Sequence, residues 1–409
     1  MKNVLILVGI LLISISGYGQ RNSEHTPTPP MGWNSWNWHG KHDINEQIVR
    51  ETIDAIVNEG LKDAGYVYVV VDGGWRDTKL GPNGELLVHP EKFPNGIKPL
   101  ADYAHSRDLK FGLHTVPGTH DCAGDPVGGI GHEEVHVQQF IDWGIDFIKL
   151  DLCNMEADPC ETCEESKRGW SEETILDTYA KWSKLLNESG RDIVFSISAY
   201  EYRDWYPQYC NMARTTRDIR SRIHKGGAYF NPKERKNFGH MSVMGVAEMN
   251  NLYAEFAGDG YWNDPDMMVT GEHGLSMDEQ VSHFALWAIM TSPLFLGNDP
   301  RNMTPEEKEL ILNSEVIAMN QDPSEQGSLF SDENNTQVWV KELSDGSKAV
   351  LFLNLDTEQK REVSVSLADL GTKKKVLVRD LIKKTDVGRF KNTVSFSLGT
   401  NQCRLVVIR

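Results

Sequence analysis

The sequence predicts an α/β protein, a (β/α)8 TIM barrel followed by a C-terminal antiparallel β-sandwich. Three observations carry this. From Met31 to about Gln321, short apolar strand-like runs alternate with longer helical patterns, the signature of a parallel sheet with crossover helices. Eight such runs can be counted, the number that closes a barrel. Beyond about Gly327 the helical texture stops, and short segments of alternating polarity are divided by turn signals such as Asp345-Gly346. A doubly wound open sheet is the alternative for the first part.

Residues 1–20 carry one cation, Lys2, then an apolar run from Val4 to Ile15, then small residues ending Ser16-Gly17-Tyr18-Gly19-Gln20. This is the pattern of a secretory signal peptide, and the run is shorter than the roughly 18–20 residues that a membrane span needs. A periplasmic or extracellular location follows, with no membrane anchor. Residues 21–30 are polar and Pro-rich and read as a linker.

The barrel is read over residues 31–322. Its strand runs are Met31–Trp36, Tyr66–Asp72, Leu109–His114, Ile145–Asp151, Asp192–Ser198, Met212–Thr216, Tyr261–Met267 and Pro293–Gly297. Several are continuous and β-branched, as strands covered on both faces are. Between them, Asp43 to Leu61 repeats apolar residues at helical spacing, with Asp43 as the expected cap, and Ile175 to Leu186 and Met277 to Met290 do the same. The sandwich is read over residues 327–409, from segments at Gln337–Lys341, Ala349–Leu355, Glu362–Leu367, Lys375–Val378, Thr393–Leu398 and Arg404–Ile408.

Composition narrows the function. The 42 Lys and Arg against 59 Asp and Glu give a formal charge of −17, which argues against a nucleic-acid or anionic-membrane partner. A neutral or small substrate fits better. Six cysteines in an exported chain serve as staples, and their pairing is open from composition alone. Nothing in the residues specifies an oligomeric state.

Barrel enzymes gather their catalytic groups at the C-terminal ends of the strands. The residues that close these runs are Trp36 with Asn37, Asp72, His114, Lys149 with Asp151, Ser198, Arg214 with Asp218, Asp264 with Asp266, and Asn298. Buried carboxylates are costly unless paired or used, so their convergence on one mouth favours carboxylate chemistry. Two carboxylates flanking an acetal are what glycoside hydrolysis requires. Lys149 and Asp151 share a strand face, an arrangement that keeps the Asp ionised as a nucleophile needs. Asp218, four residues beyond Arg214, is the matching acid. It needs a raised pKa, which the negative nucleophile nearby would have to supply. The 11 tryptophans add weight, because flat apolar rings stack on sugar faces; Trp33, Trp36, Trp38, Trp75, Trp205 and Trp262 lie in or near the runs, where they either stack or fill the core.

One motif competes. His132-Glu133-Glu134-Val135-His136 matches H-E-x-x-H, the zinc peptidase pattern, although no third ligand on its own helix follows and the residues equally suit a solvated helix face.

Four blocks then stand out: Thr28-Pro29-Pro30-Met31-Gly32-Trp33-Asn34-Ser35-Trp36-Asn37, Lys149-Leu150-Asp151-Leu152-Cys153-Asn154, Arg214-Thr215-Thr216-Arg217-Asp218-Ile219 and Trp262-Asn263-Asp264-Pro265-Asp266-Met267. In residue type and in order they resemble glycoside hydrolase family 27, the α-galactosidase (melibiase) and α-N-acetylgalactosaminidase family. The resemblance implies an exported retaining exo-glycosidase that releases terminal α-linked galactosyl residues from an oligosaccharide or polysaccharide by double displacement. Asp151 is then the nucleophile and Asp218 the acid/base, with carboxyl groups roughly 5–5.5 Å apart. It further implies sugar contacts from Trp36, Asp72, Lys149, Arg214 and Asp266, a disulfide between Cys122 and Cys153, and no metal or organic cofactor.

Departures from the family pattern bear on the sugar. Two adjacent acids are usual after the second strand, where this chain has Asp72-Gly73-Gly74-Trp75. His114 replaces a customary Tyr and either binds sugar or packs. Ser196-Ile197-Ser198-Ala199-Tyr200 replaces the larger residues of galactose-specific members, and Ser198 opens space near the 2-position. Cys210 lacks its usual family partner near Ile197. These changes keep open an α-N-acetylgalactosaminidase, or a glycosidase for a modified galactose or β-L-arabinopyranose. A catalytically lapsed sugar-binding protein and the zinc peptidase are the readings from other classes.

Overall fold

In the computed structural model, which describes residues 21–153, 170–199, 201–224, 240–372 and 374–409, alternation along each strand divides the chain between two cores. The barrel strands are β1 (Met31–Asn34), β2 (Tyr68–Val71), β3 (Lys110–Thr115), β4 (Phe147–Asp151), β5 (Val194–Ser198), β6 (Met212–Arg214), β7 (Trp262–Asp264) and β8 (Leu294–Leu296). They form one parallel sheet in the order β8-β1-β2-β3-β4-β5-β6-β7. The ring closes just beyond β7: the Met268 amide donates to the Phe295 carbonyl at 2.7 Å and the Gly297 amide to the Met268 carbonyl at 3.0 Å.

Tyr68, Val70, Phe147, Val194, Met212, Trp262 and Phe295 face inward and pack together, while Val69, Val71, Phe111, Leu113, Ile148, Leu150, Phe195 and Ile197 face the surrounding helices. Gly32 and Gly112 make the inner packing possible, since a Cβ there would lie 2.7 Å from Tyr68 Cβ or 2.8 Å from Phe147 Cβ. Because strand side chains alternate, continuing the inward series toward each C-terminal end reaches Asp72, His114, Lys149, Asp151, Ser196, Ser198, Arg214 and Asp264.

The first long helix runs over Glu46–Asn58 and is capped by Asn45, whose side chain accepts from the Ile48 amide at 3.0 Å. Asp43, the expected cap, ends the short preceding helix Trp36–Asp43 instead, and Ile44 between them is extended. Residues 21–30, read as a linker, pack on the barrel: Thr26 Oγ1 donates to the Gly260 carbonyl at 2.8 Å and Trp262 Nε1 to the Thr26 carbonyl at 2.9 Å.

The H-E-x-x-H helix, Glu133–Trp143, differs from both readings of its motif. Glu133 is buried against Lys181 at 2.9 Å, and the buried His136 lies with Nε2 2.9 Å from the Gly84 carbonyl. Burial pushes the His136 pKa down to about 4, so the ring is neutral and donates that bond. Both residues tie the helix to its neighbours. Glu134 of the same motif is exposed and His132 half-buried, so only part of the motif faces solvent.

Among the described residues the sandwich has eight strands: β9 (Ser328–Glu333), β10 (Thr336–Glu342), β11 (Lys348–Asn354), β12 (Arg361–Ser366), β13 (Val376–Asp380), β14 (Thr385–Phe390), β15 (Thr393–Leu398) and β16 (Cys403–Ile408). A six-stranded antiparallel sheet, β9-β10-β11-β16-β13-β14, faces the pair β12-β15. Trp339, Ala349, Leu351, Leu353, Leu405 and Val407 turn toward the barrel, and Val338, Val350, Phe352, Val406 and Ile408 form the sandwich core. This sheet is thus covered on both faces.

Candidate active site

The inward series ends in an open cavity at the C-terminal mouth of the barrel, lined by Trp36, Asp72, His114, Lys149, Asp151, Arg214, Asp218 and Asp266, all expected there, together with residues that include Gly73, Arg76, Asp121, Cys122 and Met267. Ser198 is the exception among the expected set. It is buried beside Asp151 in the β4–β5 register and does not line this cavity; Ser196, on the same face, borders the deeper space with Lys149 and Arg214. Of the tryptophans, Trp33, Trp75 and Trp262 are fully buried, whereas Trp36 reaches the cavity.

The charges form two groups. Asp72 accepts from Lys149 Nζ at 2.7 Å and from Asn34 Nδ2 at 3.0 Å, and its other oxygen accepts the Gly73 amide at 2.8 Å. Lys149 therefore has Asp72 as its close partner, where strand spacing had pointed to Asp151. Asp151 instead has His114 Nε2 at 3.4 Å from Oδ2, while its Oδ1 has no hydrogen-bond partner among the described residues. Opposite them, Arg214 Nη2 lies 3.2 Å from Asp218 and 3.1 Å from Asp266. Asp266 also accepts the Ile219 amide at 2.8 Å, and its positive φ of 87° turns the chain sharply enough to do so. Cys122 and Cys153 form a disulfide that joins the loop after β3 to the end of β4.

Comparison with known proteins decides the family. A family model described as alpha galactosidase A matches residues 28–322, and one for the alpha galactosidase C-terminal beta sandwich domain matches residues 333–408. An α-galactosidase of Oryza sativa subsp. japonica is 35% identical over 387 residues, 93% of this chain and 84% of that protein. The chain belongs to glycoside hydrolase family 27, the α-galactosidase family. Solved structures are similar as well: α-galactosidase I of Mortierella vinacea superposes with a TM-score of 0.85 at 29% identity, covering 93% of this chain and 97% of that one. A β-L-arabinopyranosidase of Geobacillus stearothermophilus does so with 0.80 at 26%, covering 94% and 97%. The protein is a glycoside hydrolase.

In this family 27 pocket the electrostatics divide the carboxyls. Burial opposes ionisation of Asp72, but Lys149 and His114 outweigh it and hold the carboxyl well below its usual range. Burial likewise works against Asp218, and Arg214 with Lys149 prevails, so Asp218 is held below the usual value. That is opposite to the raised value expected of it, and the raised groups are Asp264 and Asp266: burial lifts both, Asp266 to about 6, with Arg214 opposing and the charges of Asp218 and Asp264 assisting at Asp266. His114, Cys122 and Asp151 offer donor atoms within 4.8 Å of one another, yet Cys122 Sγ is already in the disulfide and cannot serve as a thiolate ligand.

Sequence reasoning missed Arg76 and Asp121. Arg76 is buried, donates to Thr115 Oγ1 at 3.2 Å and lies 3.6 Å from Asp121, so it connects the loops after β2 and β3. A cation four residues beyond Asp72 was the available signal. Cys160, Cys163 and Tyr200 lie outside the described residues; Cys210 and Cys403 are free thiols.

Proposed function

We propose that the chain is an exported retaining exo-α-galactosidase that cleaves terminal α-linked galactosyl units from oligosaccharides or polysaccharide side chains. The observation that carries this is the meeting of Asp151 and Asp218, from different strands and with different charge partners, on one cavity. Asp151 attacks the anomeric carbon while Asp218 protonates the departing oxygen, giving a covalent glycosyl-enzyme. Asp218, now a carboxylate, takes a proton from water, which attacks the anomeric carbon and frees Asp151. Trp36 offers an apolar face for the ring, and Asp72, Lys149, Arg214 and Asp266 are the hydroxyl partners. The leader and the Cys122–Cys153 disulfide support export.

A second reading, an α-N-acetylgalactosaminidase or a glycosidase for a modified galactose or β-L-arabinopyranose with the same mechanism, rests on Gly73, which lines the cavity without a side chain; a Cβ there would stand 3.3 Å from Trp36 Cζ3. A panel of aryl α-galactoside, α-N-acetylgalactosaminide, β-L-arabinopyranoside and α-glucoside, with Asp151→Asn as blank, separates the two. Fastest turnover of the galactoside, with retained anomeric configuration by NMR, is expected. Preference for another sugar shifts the substrate to the second reading, and an inverted product removes Asp151 as nucleophile.

A further inference from the structure

Glu272, in the loop after β7, is partly buried and reaches two distant segments at once. Its Oε1 accepts from Asn37 Nδ2 at 3.0 Å, and its Oε2 accepts from Ser221 Oγ at 2.7 Å. Asn37 adjoins Trp36, which lines one side of the cavity, and Ser221 lies on the segment that carries Asp218. There is little slack around this bridge. A Cβ on Gly297 would fall 2.6 Å from Glu272 Oε1 and 3.1 Å from Asn37 Cβ, and one on Gly274, at φ +120°, would fall 2.5 Å from the Ser221 carbonyl oxygen. The Ile219 amide of the same segment is held by Asp266. The chain that follows β7 thus anchors the residues just after Asp218 at two places, Ile219 and Ser221.

We propose that Glu272 is a positioning residue for the acid/base. It sets the distance between the Trp36 side of the pocket and the Asp218 segment, so that the Asp218 carboxyl reaches the glycosidic oxygen of a sugar seated on Trp36. The inference rests on the reading of Asp218 as acid/base. A carboxyl group suits the task because its two oxygens each accept a separate hydrogen bond, one from Asn37 and one from Ser221. Glutamine can fill the same place, accepting from Asn37 and donating to the Ser221 hydroxyl.

The test exploits leaving groups, because a good leaving group departs without an acid and a poor one does not. Glu272→Ala, Glu272→Gln, Ser221→Ala and Asp218→Ala are compared with the wild type on methyl and dinitrophenyl α-galactosides, with thermal melts to confirm folding. Glu272→Ala and Ser221→Ala should lower kcat/KM for the methyl glycoside by about tenfold or more, and for the dinitrophenyl glycoside by less than about threefold. Glu272→Gln should stay within about threefold of wild type on both. An equal loss on both substrates, or a Glu272→Gln enzyme as slow as Glu272→Ala, overturns the inference. If Glu272→Ala fails to fold, Ser221→Ala, which removes a single hydroxyl, decides the matter. Should Asp218→Ala itself lack the leaving-group bias, the acid/base assignment is what fails.

Discussion

At the scale of single residues, the pocket is organised by which cation each carboxylate obtains. Lys149 bonds to Asp72, Arg214 is shared by Asp218 and Asp266, and Asp151 faces an imidazole. The consequence for pH is direct. As the proposed acid, Asp218 must carry a proton, and its pKa is lowered, chiefly because Arg214 overcomes the effect of burial. The protonated fraction therefore grows as pH falls, and kcat/KM for a poor leaving group should have an acidic optimum and decline through neutrality. Arg214→Met should move the alkaline limb of that profile upward, by about one pH unit, as removal of an adjacent cation from a carboxyl does. A limb that stays in place would mean that Asp218 is not the group being titrated.

Among elements, the helices and strands with a strong period were legible, and those without one were not. The inward-facing series on β2, β4 and β5 follows from alternation, so the positions of Asp72, Lys149 and Asp151 could be read before any fold was known. Strands β9 and β14 could not: both are edges of the six-stranded sheet, largely exposed, with no buried apolar stripe, and they exist because a neighbour supplies their hydrogen bonds. The H-E-x-x-H helix shows the reverse error, a pattern with a familiar spacing whose side chains pack against Lys181 and Gly84. Incubation with EDTA should accordingly leave glycosidase turnover unchanged. Loss of activity restored by added zinc would contradict the packing role of His136 and Glu133.

For the whole molecule, the six-stranded sheet is the joint: one face packs on the barrel through Trp339 and Leu351, and the other closes the sandwich. Lys341 is buried in that joint, donating to Thr291 Oγ1 at 2.5 Å and to the Asp322 carbonyl at 3.1 Å. Burial pushes its pKa down to about 8, against 10.5 for the ordinary group. Between these values the unfolded chain binds the proton that the folded one releases, so this residue's contribution to stability rises with pH from about 8 to about 10.5 and is flat below. Unfolding free energies from urea titration should show that rise, by roughly 3 kcal/mol, in the wild type relative to Lys341→Met. Parallel curves for the two proteins across this window would remove Lys341 as the titrating group.

The sequence by itself determined the class of the fold, the strands whose faces are buried, the order of the four family blocks and eight of the side chains at the mouth, though not Arg76 or Asp121. It could do so because period and motif are local properties of the chain. The tertiary structure alone decided the partners. That Lys149 serves Asp72 while His114 stands at Asp151, that Ser198 is set back from the cavity, and that Glu272 spans from Asn37 to Ser221 are matters of distance between segments far apart in sequence. Only closure of the barrel brings these groups together, and charge coupling, which falls off with separation, is defined once they have met.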